Sequence, residues 1–528
     1  KKDALNFRIA GINIAEASAM TIDKANGFFK GLALNGYEKE VSKEVLRQII
    51  SKLEFLSGAG LGYITLNRQT KTLSGGEAQR VLLSNQMGAA LSGALYVLDE
   101  PSIGLHPRDI NMLIGQIKKL SERGNTVIIV EHDPSLIKNA DHIVELGPGS
   151  GERGGHIVYS GGVKEFLTMS RTITADYLTG RREIPVPRWR RKGRDQSLAL
   201  KGAKGNNLKN ISLNIPLGTL TVITGVSGSG KSTLVMDTLY NALALRFGAR
   251  TCRPLPYEKI DGAGYLSDIQ LIDQSPIGKT PRSNPITYIR GFDDIRRLFA
   301  GLSKATALGM STASFSFNVH GGRCDRCAGQ GVVKLEMYFL PDIYVKCEAC
   351  NGKRYKPQVL DVKYKGKNIF EVLDMTFEEA SRFFPDTGEL KKKFHLLEEV
   401  GLGYLRLGQS ATTLSGGEAQ RLKIARELAH VKTADVLYIL DEPTTGLHTE
   451  DIRRLLSVLN RLVDANNTVL VVEHNLDCIK VADHVVDLGP EGGENGGFIM
   501  AQGTPEKIAR TPESQTGRYL RTVLSTKI

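Results

Sequence analysis

The run Thr221-Val-Ile-Thr-Gly-Val-Ser-Gly-Ser-Gly-Lys-Ser-Thr-Leu234 holds the residue types that grip phosphate. An apolar, β-rich segment from Leu220 to Thr224 feeds a glycine-rich turn, and a helical pattern follows from Ser232. Gly225, Val226, Ser227, Gly228, Ser229, Gly230, Lys231 and Ser232, followed by Thr233, fit G-x-x-x-x-G-K-[ST]. In that arrangement backbone N–H groups curl around phosphates, Lys231 reaches the terminal phosphates, and Ser232 offers its hydroxyl to Mg²⁺. The helix starting there also points its positive end at the anion. A glycine-rich turn without a ligand is the alternative, but a strand before and a helix after favour a nucleoside triphosphate site.

A second cluster lies about a hundred residues on. Cys324, Cys327, Cys347 and Cys350 have the Cys-x₂-Cys…Cys-x₂-Cys spacing of a tetrahedral zinc site. Each pair is followed by a glycine-containing turn. Between the pairs, Val332–Phe339 and Ile343–Lys346 flank Leu340-Pro-Asp342, which reads as a β-hairpin. Zinc is the expected ion and a redox pair the alternative. Cys252 and Cys478 read as ordinary core or surface residues.

The elements that must position these groups come in duplicate. Gly60-Leu-Gly-Tyr63 recurs as Gly401-Leu-Gly-Tyr404, and Thr72-Leu-Ser-Gly-Gly-Glu-Ala-Gln-Arg80 recurs letter for letter at Thr413–Arg421. Leu95-Tyr-Val-Leu-Asp-Glu-Pro101 returns as Leu437-Tyr-Ile-Leu-Asp-Glu-Pro443, and Thr126-Val-Ile-Ile-Val-Glu-His132 as Thr468-Val-Leu-Val-Val-Glu-His474. The offset stays at 341 to 342 residues, so the chain holds two homologous units. They are unequal. The second has its phosphate loop about 190 residues before its Leu-Ser-Gly-Gly-Glu, while nothing upstream of Ser74 fits such a loop. Strands alternating with helical patterns imply α/β layers with largely parallel sheets.

The boundaries follow. Residues 1–170 form the later part of the first unit, 171–196 a basic linker, and 197–300 the phosphate-loop part of the second unit. Residues 301–400 carry the cysteine module as an insert, and 401–528 complete the second unit. Within 171–196, Arg181, Arg182, Arg188, Arg190, Arg191, Lys192 and Arg194 surround Pro185, Pro187 and the only tryptophan, Trp189. A solvated linker is the first expectation and a phosphate-contacting arm the second.

Composition narrows the partners. The 528 residues suggest about three to four domains. The net charge of +12 tilts toward a polyanion. No apolar run approaches a membrane span, and no secretory signal opens the chain. Six cysteines, four of them in close pairs, suit a reducing, cytoplasmic setting. The first residue is Lys rather than Met, as expected of a trimmed or partial chain.

Leu-Ser-Gly-Gly-Glu, present twice and each time followed by an apolar strand ending in Asp-Glu, resembles the signature of ABC-type ATPases. In that family the signature of one unit closes over the phosphate loop of the other. The resemblance implies that Asp441 orients Mg²⁺ through water, Glu442 polarises the attacking water, Gln274 senses Mg²⁺ and water, and His474 contacts the γ-phosphate. Ser74, Gly75 and Gly76 of the first unit would complete that site. Asp99, Glu100, His132, Ser415, Gly416 and Gly417 would be remnants of a second site without a phosphate loop. One competent ATP site is therefore expected in this chain.

The conjunction is more specific still. A Cys₄ module interrupts an ABC-type unit, accompanied by Asp273-Gln-Ser-Pro-Ile-Gly-Lys-Thr-Pro-Arg-Ser-Asn-Pro285, Phe315-Ser-Phe-Asn318, Gly321-Gly-Arg-Cys324 and Phe339-Leu-Pro-Asp-Ile-Tyr344. This closely resembles the UvrA family of bacterial nucleotide excision repair, over nearly the whole chain, as the C-terminal part of such a protein. The resemblance implies a homodimer that binds double-stranded DNA, senses bulky damage and loads UvrB, with ATP, Mg²⁺ and Zn²⁺ as cofactors and no membrane partner. ATP turnover there times a conformational change and cuts no DNA. Arg323, Arg326 and Lys334 are candidates for DNA contact by position. The family's first phosphate loop, its UvrB-binding region and the zinc modules of its first half have no counterpart here. A paralogue serving drug self-resistance or another DNA transaction would look much the same, and a transporter ATPase is a more distant reading.

Overall fold

The computed structural model describes residues 2–524 except 74–76, 79, 83, 85–91, 150, 152–153, 250–251, 279, 281, 338–342, 385–387 and 430–433. The second unit is built on a six-stranded sheet. Its spatial order is Asp268–Ile272, Val436–Asp441, Thr468–Val472, Leu220–Gly225, His484–Gly489 and Phe498–Gly503. The first five strands are parallel and the last pair is antiparallel. Leu220–Gly225 is buried along its whole length, as its unbroken apolar run requires of a central parallel strand. The carboxyl ends of these strands therefore bring Gly225, Ile272, Asp441 and Val472 to one edge, where open α/β sheets take their ligands.

Both faces of that sheet are covered. On one side lie an antiparallel sheet of Lys259–Asp261, Ser197–Ala203 and Ile211–Pro216, and the helical segments Thr233–Tyr240 and Asn241–Arg246. There Leu198, Ile215, Leu239 and Leu243 pack with Ile223, Leu437, Ile439, Leu470 and Leu488. On the other side are the helices Gly416–Ala429 and Thr449–Asp464. The same core runs on into the insert, where Phe299, Phe315, Phe317, Tyr355, Phe377, Phe384 and Phe394 are fully buried.

The first unit repeats the strands but not the sheet. Leu95–Asp99 pairs with Thr126–Val130 in the same register as Val436–Asp441 pairs with Thr468–Val472. His142–Gly147 pairs with His156–Gly162, with an irregularity at Glu145/Leu146 that matches Asp487/Leu488. In the second unit Leu220–Gly225 sits between the two strand pairs; among the described residues of the first unit nothing does, and the pairs form two separate sheets. The α/β class and the two-unit organisation expected from sequence are those observed, with a β-hairpin and a Cys₄ cluster inserted in the second unit.

Residues 171–196 differ from the expectation of a solvated linker. Ile173–Leu178 is a helix whose Tyr177 hydroxyl donates to Glu450 at 2.6 Å. Arg190 pairs with Glu506 at 2.7 Å, Arg191 with Asp464 at 2.7 Å and Asp483 at 3.1 Å, and Arg194 with Asp435. Ile184 is buried in the main core. Acidic partners distant in sequence neutralise these three arginines, while Arg181 and Arg182 pair with nearby Asp176 and Arg188 and Lys192 stay exposed, so the segment straps the two units together. Trp189 stays exposed.

Candidate active site and metal centre

Close backbone approach shapes the phosphate loop. Gly225, at φ 136°, lies so near the next strand that a Cβ would fall 2.1 Å from the Leu488 carbonyl oxygen. Lys231 is buried, and its Nζ donates to the carbonyls of Gly225 and Val226, both at 3.0 Å. Ser227 Oγ, Ser229 Oγ and His474 Nδ1 are buried without a protein partner. Buried polar atoms are normally satisfied, so three such atoms around Lys231 fit a polyanionic guest such as a nucleotide triphosphate.

The carboxylates sit where the sheet delivers them. Burial pushes Asp441 up to about 6 and Glu442 up to about 7, the latter helped by Asp441 and Glu473; the Lys231 charge opposes both shifts. Burial in turn brings Lys231 down to about 8 against the pull of Glu442 and Asp109. His474 is held well below its ordinary value, first by burial and then by Lys231, so its ring is neutral. His474 Nε2 lies 3.9 Å from Glu442 Oε1. Glu442 has φ 44° and its counterpart Glu100 has φ 43°, a left-handed conformation that is strained for any residue but glycine. Gln274 reaches the same loop, with Nε2 3.3 Å from both the Glu442 carbonyl and Thr445 Oγ1.

The first unit enters this site directly. A Cβ on Gly104 would lie 3.0 Å from Glu442 Oε2, and one on Gly446 would lie 2.9 Å from Glu100 Oε2, so each unit's loop approaches the other's glutamate. Asp109 Oδ2 accepts from the Ser227 amide at 3.4 Å, and the ring of Tyr63 packs on Gly228. Arg108 pairs with Glu491 at 2.9 Å and Lys24 with Glu494 at 2.7 Å across the same junction. The expected trans residues Ser74, Gly75 and Gly76 lie outside the described residues. Glu77, just beyond them, accepts from the Tyr63 hydroxyl at 2.5 Å. A cleft of about 410 Å³ between the units is lined by Glu100, His132, Glu442 and His474 among others, whereas Gly416 lies beside Gln274 and Gly417 beside the Thr445 carbonyl of their own unit, and neither they nor Asp99 and Ser415 line that cleft.

Sequence reading passed over Glu473. Its buried carboxylate accepts from the amides of Thr444 at 2.9 Å, His474 at 2.6 Å and Asn475 at 2.9 Å, and from the Thr444 hydroxyl. It thus ties the loop after Glu442 to the loop carrying His474. Glu131 does the same for Ser102, His132 and Asp133. The repeated Val-Glu-His, with a carboxylate at the end of a buried strand, was the available signal.

The four cysteines meet as their spacing requires. All four sulfurs lie within 4.8 Å of one another, and Cys327 Sγ is 3.7 Å from Cys350 Sγ. A tetrahedron of thiolates at roughly 2.3 Å from zinc has edges of about 3.8 Å, so the donor set and its size fit that ion. Ala328 and Gly329, and likewise Asn351 and Gly352, take positive φ just after each pair and fold the turns back over the sulfurs; the Gly331 amide donates to Cys327 Sγ at 3.3 Å. Of the three basic candidates nearby, Arg323 is turned inward. It donates to the Asn318 carbonyl at 2.9 Å and bonds His320 at 3.0 Å. Arg326 and Lys334 are exposed, beside Glu348 at 3.1 Å and Glu336 at 3.2 Å.

No protein-family model matches the chain. It is 52% identical over 523 residues to the UvrABC system protein A of Staphylococcus aureus, covering 99% of this chain and 55% of that protein. The protein of the same name from Staphylococcus epidermidis is 53% identical over 523 residues, with the same coverage of 99% and 55%. The crystal structure of UvrA2 from Deinococcus radiodurans matches with a TM-score of 0.91 at 43% identity, over 99% of this chain and 65% of that one. The chain thus spans about half the length of the curated relatives it matches. Among the described residues, no helix is long and apolar enough to cross a membrane.

Proposed function

Because the chain belongs to the UvrA family of ABC-type ATPases, we propose that it hydrolyses ATP at one site formed between its two units and uses the cycle to act on damaged double-stranded DNA. The observation that carries this reading is the convergence at the phosphate loop. Lys231 is buried in the loop with the unpartnered Ser227 Oγ and Ser229 Oγ, the first unit's Asp109 bonds the Ser227 amide, and its Gly104 abuts Glu442 beside His474.

In this reading Lys231 and the loop amides hold the β- and γ-phosphates, and Ser232 and Asp441 hold Mg²⁺, which would neutralise charge developing on the transferred phosphoryl group. Glu442 polarises the attacking water. His474, kept neutral, accepts or donates one hydrogen bond at the γ-phosphate without adding charge. Gln274, already bonded to the Glu442 loop, reports whether that space is filled. Cys324, Cys327, Cys347 and Cys350 hold Zn²⁺ and brace the hairpin, and Arg326 and Lys334 reach DNA phosphates. Handing the lesion to UvrB, and pairing with a second copy, belong to the proposal through the family alone.

The test joins nucleotide and DNA. ATP turnover and binding stoichiometry are measured for the chain and for Lys231→Ala, and affinity for a duplex with one bulky adduct is compared with that for the intact duplex, with and without ATP. One ATP per chain, turnover lost in Lys231→Ala, and ATP-sensitive preference for the adduct are expected. Two tightly bound ATP per chain would overturn the single-site reading, and equal affinity for both duplexes would overturn damage sensing by this chain.

A further inference from the structure

His106 belongs to the first unit, yet its ring is entirely buried in the second. Nδ1 accepts from the Arg108 amide at 3.2 Å, which leaves the proton on Nε2; that nitrogen lies 3.1 Å from Thr516 Oγ1. The Thr516 hydroxyl in turn donates to Asp487 Oδ1 at 2.7 Å, so its oxygen is free to accept from His106. Ser514 Oγ donates to the other carboxylate oxygen at 2.6 Å. The far side of the imidazole stands edge-on to His474, with centroids 6.1 Å apart at 83°, and beside Tyr519 at 5.8 Å. Burial takes His106 down to about 3, so the ring works here as a neutral, fully bonded strut.

The arrangement is built twice. His448 of the second unit accepts from the Glu450 amide at 3.2 Å, lies 3.1 Å from Thr174 Oγ1, and faces His132 at 6.3 Å; Thr174 donates to Glu145. Each unit thus extends a histidine into a Thr–carboxylate receptor on the other. Only one of the two struts ends beside a phosphate loop. His106 shares its loop with Gly104, which abuts Glu442, and lies three residues before Asp109, which bonds the Ser227 amide.

We propose that His106 is a positioning residue supplied in trans by the first unit, which holds His474 and Glu442 in their working geometry through the Thr516–Asp487 receptor. The proposal rests on the ATPase reading above. Fixing a neighbour's position within a few tenths of an ångström acts on the chemical step more than on nucleotide affinity. The mirror strut, His448–Thr174–Glu145, supports the interface without setting turnover at Lys231.

Four variants of the full chain decide it, each assayed for kcat, for KM and for binding of a non-hydrolysable ATP analogue. His106→Ala is expected to lower kcat at least ~10-fold with analogue affinity within about threefold. His106→Gln, which keeps a donor within reach of Thr516, should recover kcat to within about threefold of the parent. Thr516→Val, which removes one hydroxyl of the receptor, should lower kcat about threefold or more, while Thr174→Val, its mirror, should stay within about twofold. Equal losses in the two threonine variants would reduce both struts to general interface contacts and overturn the proposal. So would an unchanged kcat in His106→Ala, or a loss confined to KM. Parent turnover no higher than that of Lys231→Ala would sink the ATPase reading and this proposal with it; parent turnover with His106→Ala intact would sink this proposal alone.

Discussion

Leu437 and Ile439 of the second unit are fully buried and Val472 is 1% exposed, whereas their counterparts Leu95, Val97 and Val130 in the first unit are 61%, 64% and 51% exposed. The strands have the same sequence pattern, the same direction and the same register. What differs is the cover. In the second unit these side chains lie under Ser197–Ala203, Ile211–Pro216 and Asn241–Arg246, and in the first no described residue lies over them. The opposite face of the first unit's strands is buried in both cases, since Tyr96 and Leu98 pack against Leu113 and Ile117 of the helix Pro107–Glu122. A strand that is apolar on both faces thus states a need for two layers, and only the presence of both layers meets it. Leu95, Val97, Ile128 and Val130 thus leave apolar side chains half or more exposed on that face among the described residues.

The comparison can be broken most directly at the two left-handed glutamates. Glutamine keeps their shape and backbone strain and removes only the charge. Glu442→Gln is expected to lower ATP turnover by roughly 100-fold or more, the usual scale for a lost catalytic base, and Glu100→Gln to stay within about twofold, read as kcat under saturating ATP. A comparable loss in Glu100→Gln would mean that the first unit does chemistry of its own.

Packing gives the next largest contrast. Leu437→Ala empties a site buried on all sides and should cost about 2–5 kcal/mol. Leu95→Ala, at the same register position, should stay within about 0.5 kcal/mol because the side chain already faces water. Urea midpoints of the two variants measure this. Equal costs would show that the first unit's face is covered in solution.

Much of this was legible from residues close together in the chain. The phosphate loop, the Cys₄ spacing and the paired Asp-Glu strands are contiguous or nearly so, and local geometry enforces them. The contacts that join the units were not legible. Gly104 against Glu442, Asp109 against Ser227 and His106 against Thr516 depend on how two folded bodies dock, and no spacing encodes that. Arg190, Arg191 and Arg194 misled for the same reason, whereas Arg181 and Arg182 pair locally with Asp176. A basic run reads as solvated until Asp435, Asp464, Asp483 and Glu506, some 240 to 316 residues away, supply its partners. Arg323 was chosen by nearness to the cysteines, but its inward turn follows from the packing of Asn318 and His320 beneath it.

The pH dependence sharpens the difference between the units on a smaller scale. Glu442 titrates near 7 because it is buried beside Asp441 and Glu473. Its raised value means the carboxyl stays protonated below that point, so the form able to polarise water is lost as pH falls. The ratio kcat/KM, which reports the free protein, should therefore fall at least about tenfold per pH unit below about 7 and fall again above about 8, where Lys231 loses the charge that holds the phosphates. A flat profile from pH 5.5 to 8 would remove Glu442 as the controlling group. Glu100 is raised for the same first reason, burial, and Glu100→Gln should leave the profile unmoved.

The smallest expected effect concerns the module that only the second unit carries. Arg326 and Lys334 stand exposed on the zinc turns and hairpin, and their exposed neighbours Glu348 and Glu336 compete weakly in water. The strap arginines Arg190, Arg191 and Arg194 are instead committed to buried or half-buried partners. If phosphate contact belongs to the module, Arg326→Ala with Lys334→Ala should make the dependence of log K on log salt shallower by about 1.8, two contacts at roughly 0.9 each. Removing the strap's Arg190 should leave that slope alone and lower the unfolding midpoint, since its loss strands Glu506 and the Ala482 carbonyl. Titrations of one duplex across 50 to 200 mM salt read both. A slope unchanged in the double variant and shallower in Arg190→Ala would transfer the DNA contact from the hairpin to the strap, and with it the role that now distinguishes the two units.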